Sequence, residues 1–303
     1  MTVTHAAAAP PATRTGAAAP EPAGRTRRPR GRRWATAAFH TGASLISVVW
    51  LIPIAVVLAT ATRSFDDIAA HGLGALPHSF TLGAFRQAWV DGGQQQALVN
   101  SMIVTVPTVL VTLLLASMAA FALSRYDVPF RRVLLLLMLS GNLLPPQILL
   151  IPVSKLSERL GIYDSLYSLI GVQIGFGVGF YVFVLHGFMR AIPAEIQQAA
   201  VIDGASPWQI YSRIILPLAR PALAALTSLA FTWIFNDLLW AITVLRTDSK
   251  MPITASLLGL QGQYVSQWNV IAAGSVIAAA PTVLVFLPFQ RHFVAGLNLG
   301  AVK

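Results

Sequence analysis

Cysteine is absent from the 303-residue sequence, and Asp and Glu together number only 11. Without a thiol there is no disulfide framework, no thiolate metal site and no cysteine nucleophile. Charge is scarce: 11% of residues are Asp, Glu, Lys or Arg, under half of the roughly 25% found in an average soluble domain. That excludes a soluble globular enzyme, and the apolar content excludes a disordered or collagen-like chain. Gly-x-x-x-x-Gly-Lys-Ser/Thr is missing, so the chain is expected to bind no ATP and no cofactor of its own. The six histidines, His5, His40, His71, His78, His186 and His292, show no HExxH or comparable ligand spacing, and no Ser/His/Asp set stands out. No catalytic residue and no metal ligand is expected.

What is present is apolar surface. Hydrophobic residues make up 55% of the chain and mean hydropathy is +0.67. Six runs approach or exceed the 20 or so residues that cross a bilayer: Phe39–Thr62, Leu98–Leu123, Val133–Val153, Leu166–Met189, Ala222–Leu245 and Val270–Phe289. Lipid cannot satisfy free backbone groups, so each run is expected to be helical. The fold class that follows is all-α, polytopic, with six transmembrane helices. Ala59-Thr60-Ala61 resembles a weak signal-cleavage site, but the stretch from Ala35 to Thr62 is uncharged and far longer than a signal core. An uncleaved anchor is expected.

The net charge of +10 is uneven, because seven arginines (14, 25, 27, 28, 30, 32 and 33) precede Trp34. Residues 1–33 lack apolar periodicity and are read as a disordered basic cytoplasmic leader, not as a nucleic-acid-binding arm. With the N-terminus inside, 15 Lys and Arg fall on inside segments and six on outside loops. Both termini are therefore expected in the cytoplasm.

Within the runs, Asp237 is the one acidic residue, preceded by Asn236. A membrane charge has to face a polar path or a partner, so Asn236 and Asp237 are candidates to line a translocation path or to fix helix packing. Asn100, Asn142, Gln147 and Gln173 carry amides that suit either a hydroxylated solute or contacts between helices. Prolines 107, 145, 146, 152, 281 and 288 are expected to kink or end helices. Glycines 171, 175, 177 and 179 are expected to let the fourth helix pack closely or bend.

One inside segment, 190–221, has a helical pattern of its own. Pro193 can open a helix, and Ile196, Ala199, Ala200 and Asp203 fall at helical spacing. Gly204 can end that helix in the left-handed conformation. Ser206-Pro207-Trp208-Gln209 reads as a capping box with proline at the first helical position. Helix, glycine turn and second helix are expected, leading to Leu216-Pro217. On pattern alone such a hook suits either a groove on another protein or the membrane surface.

This segment resembles the coupling loop of binding-protein-dependent ABC importer permeases, whose signature is Glu-Ala-Ala, three residues, Gly, nine residues, Ile, one residue, Leu-Pro. Here the register is Gln198-Ala199-Ala200, Gly204, Ile214, Leu216 and Pro217. Further likenesses point to the carbohydrate-uptake, MalG-type branch. They are Asn100-Ser101, the run from Ala119 to Arg125, Pro152 with Gly161-Ile162, Phe235-Asn236-Asp237 and the tail from Gly296 to Lys303. The resemblance implies the type I importer permease fold over residues 34–303, with 190–221 as coupling loop.

By that resemblance the chain is a bacterial cell-membrane subunit forming half of a path for a sugar or oligosaccharide. Its implied partners are a second permease subunit, an ABC ATPase dimer that uses the ATP, and an extracytoplasmic solute-binding protein, with no nucleic acid. A permease for an amino acid, peptide or polyamine is the alternative; a stand-alone channel or intramembrane enzyme is more remote. Gln198 stands where the family usually has glutamate, and Glu195, one turn earlier, is expected to supply the acidic contact. Ala199, Ala200 and Gly204 are expected to fit the ATPase groove, while Ile214, Leu216 and Pro217 transmit force. Asn100, Asn236 and Asp237 are the expected path residues.

Overall fold

The computed structural model describes residues 30–261 and 267–301. Residues 1–29 of the leader and Val302-Lys303 of the tail lie outside them. Among the described residues the regular structure is entirely helical. The α-helices are α1 Arg30–Ala61, α2 Phe65–His71, α3 Gly83–Arg86, α4 Gln94–Arg125, α5 Arg131–Ser140, α6 Leu150–Arg159 and α7 Leu166–Ala191. They continue as α8 Ala194–Ile202, α9 Pro207–Gln209, α10 Leu216–Leu218, α11 Arg220–Phe235, α12 Leu239–Val244, α13 Ile253–Ser256 and α14 Trp268–Ala301. The chain divides into units 1–52 and 53–303. In the first, α1 carries apolar side chains on every face from Phe39 onward, the composition of a helix solvated by lipid. All contacts described below lie within the second unit.

Among the described residues, four helices are long and apolar enough to cross a membrane: α1, α4, α7 and α14. The third and fifth runs are not the unbroken helices expected from their hydropathy. Val133–Val153 is divided between α5 and α6, with a turn over 141–145 and a tight 3₁₀ turn at Pro146–Leu149 between them. Pro145 and Pro146 cause this, since proline lacks the donor a helix interior needs and pushes its predecessor out of helical space. Ala222–Leu245 is interrupted at Asn236-Asp237, between α11 and α12.

The core forms where α4 lies along α7, and where α11 packs on α4 and α14. Val104, Leu113, Ala116 and Ala120 of α4 meet Tyr181, Val182, Leu185 and Met189 of α7 and Ala230, Phe231 and Phe235 of α11. The buried face of α4 is rich in small and hydroxylated residues, including Thr105, Thr108, Thr112 and Ser117. Thr108 Oγ1 donates to the Val104 carbonyl at 2.6 Å and Ser117 Oγ to that of Leu114 at 2.9 Å, which lets helices approach with those hydroxyls satisfied, whereas Thr112 Oγ1 is buried without a partner among the described residues. Of the fourth-run glycines, Gly179 is the one that needs its missing side chain. A Cβ there would collide with the Met138 carbonyl of α5, whereas Gly171 and Gly175 have open space around them.

Candidate functional site

The segment after α7 folds as its spacing predicts. Pro193 precedes α8, Gly204 takes φ +77°, and the chain reverses without the backbone strain that an L side chain carries at positive φ. The Ala205 N–H donates to the Ala200 carbonyl at 2.9 Å and the Gly204 N–H to Val201 at 3.0 Å, which satisfies the open end of α8. Ser206 Oγ accepts the Gln209 N–H at 3.3 Å, and Gln209 Oε1 accepts the Ser206 N–H at 2.8 Å, the reciprocal capping box. A π-helical stretch, Ile210–Ile215, then leads through α10 to α11, with a 74° bend between the two arms.

Two contacts fasten this hook to the helices above it. The Tyr211 hydroxyl lies 2.7 Å from Ser117 Oγ of α4, and its ring packs on Phe121 with centroids 5.3 Å apart. The Arg125 guanidinium, at the end of α4, donates to the Met189 and Ile192 carbonyls at 2.6 and 3.0 Å. A cation there closes off the last turn of α7 just where α8 begins. Neither Tyr211 nor Arg125 was singled out by the sequence as a fastener. Arg125 was legible in principle, as a basic residue ending a helix, but its acceptors lie 64 and 67 residues away.

The loop residues divide by helical angle. Glu195, Gln198 and Ala199 are exposed on α8, followed by Ile202, which is 85% exposed. Ala200, expected beside Ala199 on the outward face, instead turns inward and is buried, because adjacent helical residues point about 100° apart. Asp203 and Gly204 form the exposed turn, while Ile214, Leu216 and Pro217 are half-buried, the first two packed against the core. The fully buried anchors are Ile210 and Ile215, positions outside the motif. Val201, Ile202 and Trp208 leave an apolar tip in the open, the kind of patch that marks an interaction surface.

The polar residues of the spans part in a similar way. Asn100 is buried at 4% exposure, and its amide donates to the Ser249 and Met251 carbonyls at 2.8 and 3.1 Å while accepting from Gln96. It ties α4 to the loop before α13. Asn236, exposed at the end of α11, donates to Thr282 Oγ1 of α14 at 3.1 Å. Asp237 accepts the Trp240 N–H at 3.2 Å, heading α12. Around this break lies a cavity of about 170 Å³ whose lining includes Asn142, Gln173, Phe176, Phe180, Trp233 and Trp240. Phe176 and Trp240 are stacked at 4.9 Å, and Phe180 packs on Trp233 at 5.3 Å. Gln173 Nε2 is buried without a hydrogen-bond partner among the described residues, leaving an amide donor for a solute or water.

At the other end of α7, Asp164 gathers the loop after α12. Its carboxylate accepts the Arg246 and Thr247 N–H groups at 2.8 and 3.0 Å, the Thr247 hydroxyl at 2.6 Å and the Lys250 ammonium at 3.0 Å. These donors, led by Thr247, hold the carboxyl well below the usual carboxylate range.

A family model described as "binding-protein-dependent transport system inner membrane component" matches residues 98–298. The chain belongs to that family. The permease is 35% identical over 233 residues to the alpha-glucoside transport system permease protein AglG of Rhizobium meliloti, covering 75% of this chain and 61% of that one. It is 29% identical over 264 residues to the trehalose transport system permease protein SugB of Mycobacterium tuberculosis, covering 86% and 93%. In fold it resembles a chain from a bacterial ABC transporter that imports the acidic polysaccharide alginate, with a TM-score of 0.76 at 23% identity, over 88% and 99% of the two chains. The protein is thus a multi-pass permease subunit of an ABC importer, a transport component and not an enzyme.

Proposed function

We propose that this permease forms half of the path for a sugar or oligosaccharide, with a second permease subunit forming the other half. In this reading the chain makes six crossings, two of them broken (α5 with α6, α11 with α12), and both termini lie in the cytoplasm. The lysine and arginine bias between loops supports that orientation. A separate ATPase dimer grips the hook from Pro193 to Pro217, and an external binding protein delivers solute.

The observation that carries this reading is the hook itself. A motif-bearing helix and glycine turn stand free with Ile202 and Trp208 at the tip, while Tyr211 and Arg125 connect the base to α4 and α7. A force on the tip reaches two membrane helices through those fastenings, which is what coupling between distant sites requires. The sugar assignment rests on the names of the relatives and on the chemistry of the hollow. Aromatic rings take the apolar faces of a sugar, and the amides of Gln173 and Asn142 suit its hydroxyls. At about 170 Å³, it is smaller than the roughly 300 Å³ of a complete ligand pocket, in keeping with a path shared between two chains. Asn236 and Asp237 act here by fixing the break in the fifth run that sets Trp240 in the lining.

The test is uptake of radiolabelled α-glucosides, trehalose and a polyamine into vesicles carrying the whole importer. Sugar uptake is expected, with Gln173→Ala raising KM several-fold and leaving ATPase coupling unchanged. Uptake of the polyamine alone would overturn the sugar assignment.

A further inference from the structure

The segment between α1 and α4 holds a group of side chains that the transport mechanism does not use. Asp67 and His71 lie four residues apart on α2, hence on one face. Gly72, at φ +79°, turns the chain back so that the His78 ring stacks on His71, with centroids 4.2 Å apart and planes 17° from parallel. Both rings direct Nδ1 at the same oxygen, Asp67 Oδ1, at 3.0 Å from His71 and 3.6 Å from His78.

The frame behind these groups is built from other residues. Arg63, 1% exposed, donates through Nε to Asp67 Oδ2 at 2.6 Å, and through Nη1 to the Gly72 and Ala75 carbonyls at 3.0 and 3.1 Å. The His78 backbone N–H takes the same Oδ2 at 3.3 Å, and Ser64 and Ser79 hold each other at 3.1 Å. Oδ2 is therefore occupied, and Oδ1 is the atom turned toward the imidazoles. Arg63 also keeps the Asp67 carboxyl down near 2, so it is an anion at neutral pH.

We propose that Asp67, His71 and His78 bind one divalent transition-metal ion, zinc above all. One ligand atom from each residue lies within 4.8 Å of the other two. Zinc takes imidazole nitrogen and carboxylate oxygen at about 2.0–2.1 Å, so neighbouring donors around it stand about 3.3 Å apart in a tetrahedron. The 3.0 and 3.6 Å separations bracket that value. The longer one exceeds a hydrogen bond, so His78 Nδ1 is not bonded to the carboxylate; a metal lies in the plane of each imidazole that holds it, so the exposed His78 ring turns out of the stack to share the ion. Two nitrogens and one oxygen select zinc and its first-row neighbours over calcium and magnesium, which take oxygen ligands. The imidazoles are 46% and 58% exposed while the carboxylate is 4% exposed, so an ion has access from solvent and keeps positions for water. Bound there, it would cross-link α2 to the loop that follows.

The test uses the full-length chain purified in detergent through a tag without histidine, stripped with chelator and titrated with Co²⁺, then Zn²⁺. One equivalent of Co²⁺ giving visible d–d bands, displaced by Zn²⁺, is expected, with at least about tenfold weaker binding in His71→Gln and in His78→Gln. Both rings are exposed and outside the Arg63 frame, so these variants retain the fold. On the unaltered chain, Zn²⁺ should also shield His71 and His78 from diethyl pyrocarbonate, read by mass spectrometry. No stoichiometric binding, equal binding by the double variant, or no shielding would each overturn the site and leave the His71 ring as a hydrogen-bonding neighbour of Asp67 with the His78 ring stacked on it.

Discussion

The two ends of α7 differ in how far polar bonds hold them. At the Ser165 end, Asp164 is saturated by donors from Arg246, Thr247 and Lys250, so the loop after α12 is pinned by directional polar bonds. At the Ala191 end, the hook is held by buried Ile210, Tyr211 and Ile215 and by two fastenings to neighbouring helices, while its tip leaves Ile202 and Trp208 uncovered. Polar bonds fix one geometry because they fail when atoms shift by a fraction of an ångström. In the hook such bonds, from Tyr211 and Arg125, hold the base, while the rest is seated by apolar contact, which is non-directional and tolerates rocking. One end is suited to stay in place and the other to move with a partner.

Substitution in the hook should have the largest effect. Gly204→Trp places a bulky side chain at a φ that costs an L residue about 1–2 kcal/mol and obstructs the tip. Uptake should fall more than tenfold while the chain still inserts and ATP hydrolysis persists uncoupled. Ile202→Asp, which strains no backbone, should lower transport-coupled ATPase comparably; normal activity in it would remove the tip from the docking surface. Gly179→Val tests the helix pair between the two ends. Its side chain meets the Met138 carbonyl, so a loss of about 1–3 kcal/mol should appear as a lower thermal midpoint in detergent.

Asp164 sharpens the contrast by pH. Its carboxyl is depressed in the folded chain, so its contribution is full above the unfolded value near 4 and declines as pH falls below that. The thermal midpoint should drop on acidification below about pH 4, and less steeply in Asp164→Asn. The hook should lack this dependence. The smallest effect belongs to α8: Glu195→Gln should reduce coupled hydrolysis a few-fold, with Gln198→Ala near neutral. The reverse order would return the acidic contact's role to position 198.

Local chemistry makes the hook readable in the sequence. A proline, a glycine and Ser206 with Gln209 dictate start, reversal and restart within a few residues. Hydropathy was less informative in the third and fifth runs, where average apolarity conceals the breaks at Pro145-Pro146 and Asn236-Asp237. An amide in an apolar run, such as that of Asn100, signals a role without naming its partners. Its acceptors, the carbonyls of Ser249 and Met251, are set by folding across about 150 residues. The spacing of Asp67, His71 and His78 along the chain is irregular, and a single turn at Gly72 brings them together.

From the order of residues alone followed the helical membrane class, the family and the shape of the hook, since these depend on transfer to lipid and on bonds between near neighbours. Tertiary structure alone decided that Ala200 faces inward, that Arg125 closes α7, and that aromatic rings from α7, α11 and α12 enclose a hollow. Those outcomes depend on contacts between residues far apart in sequence, where periodicity carries no information about which face meets which.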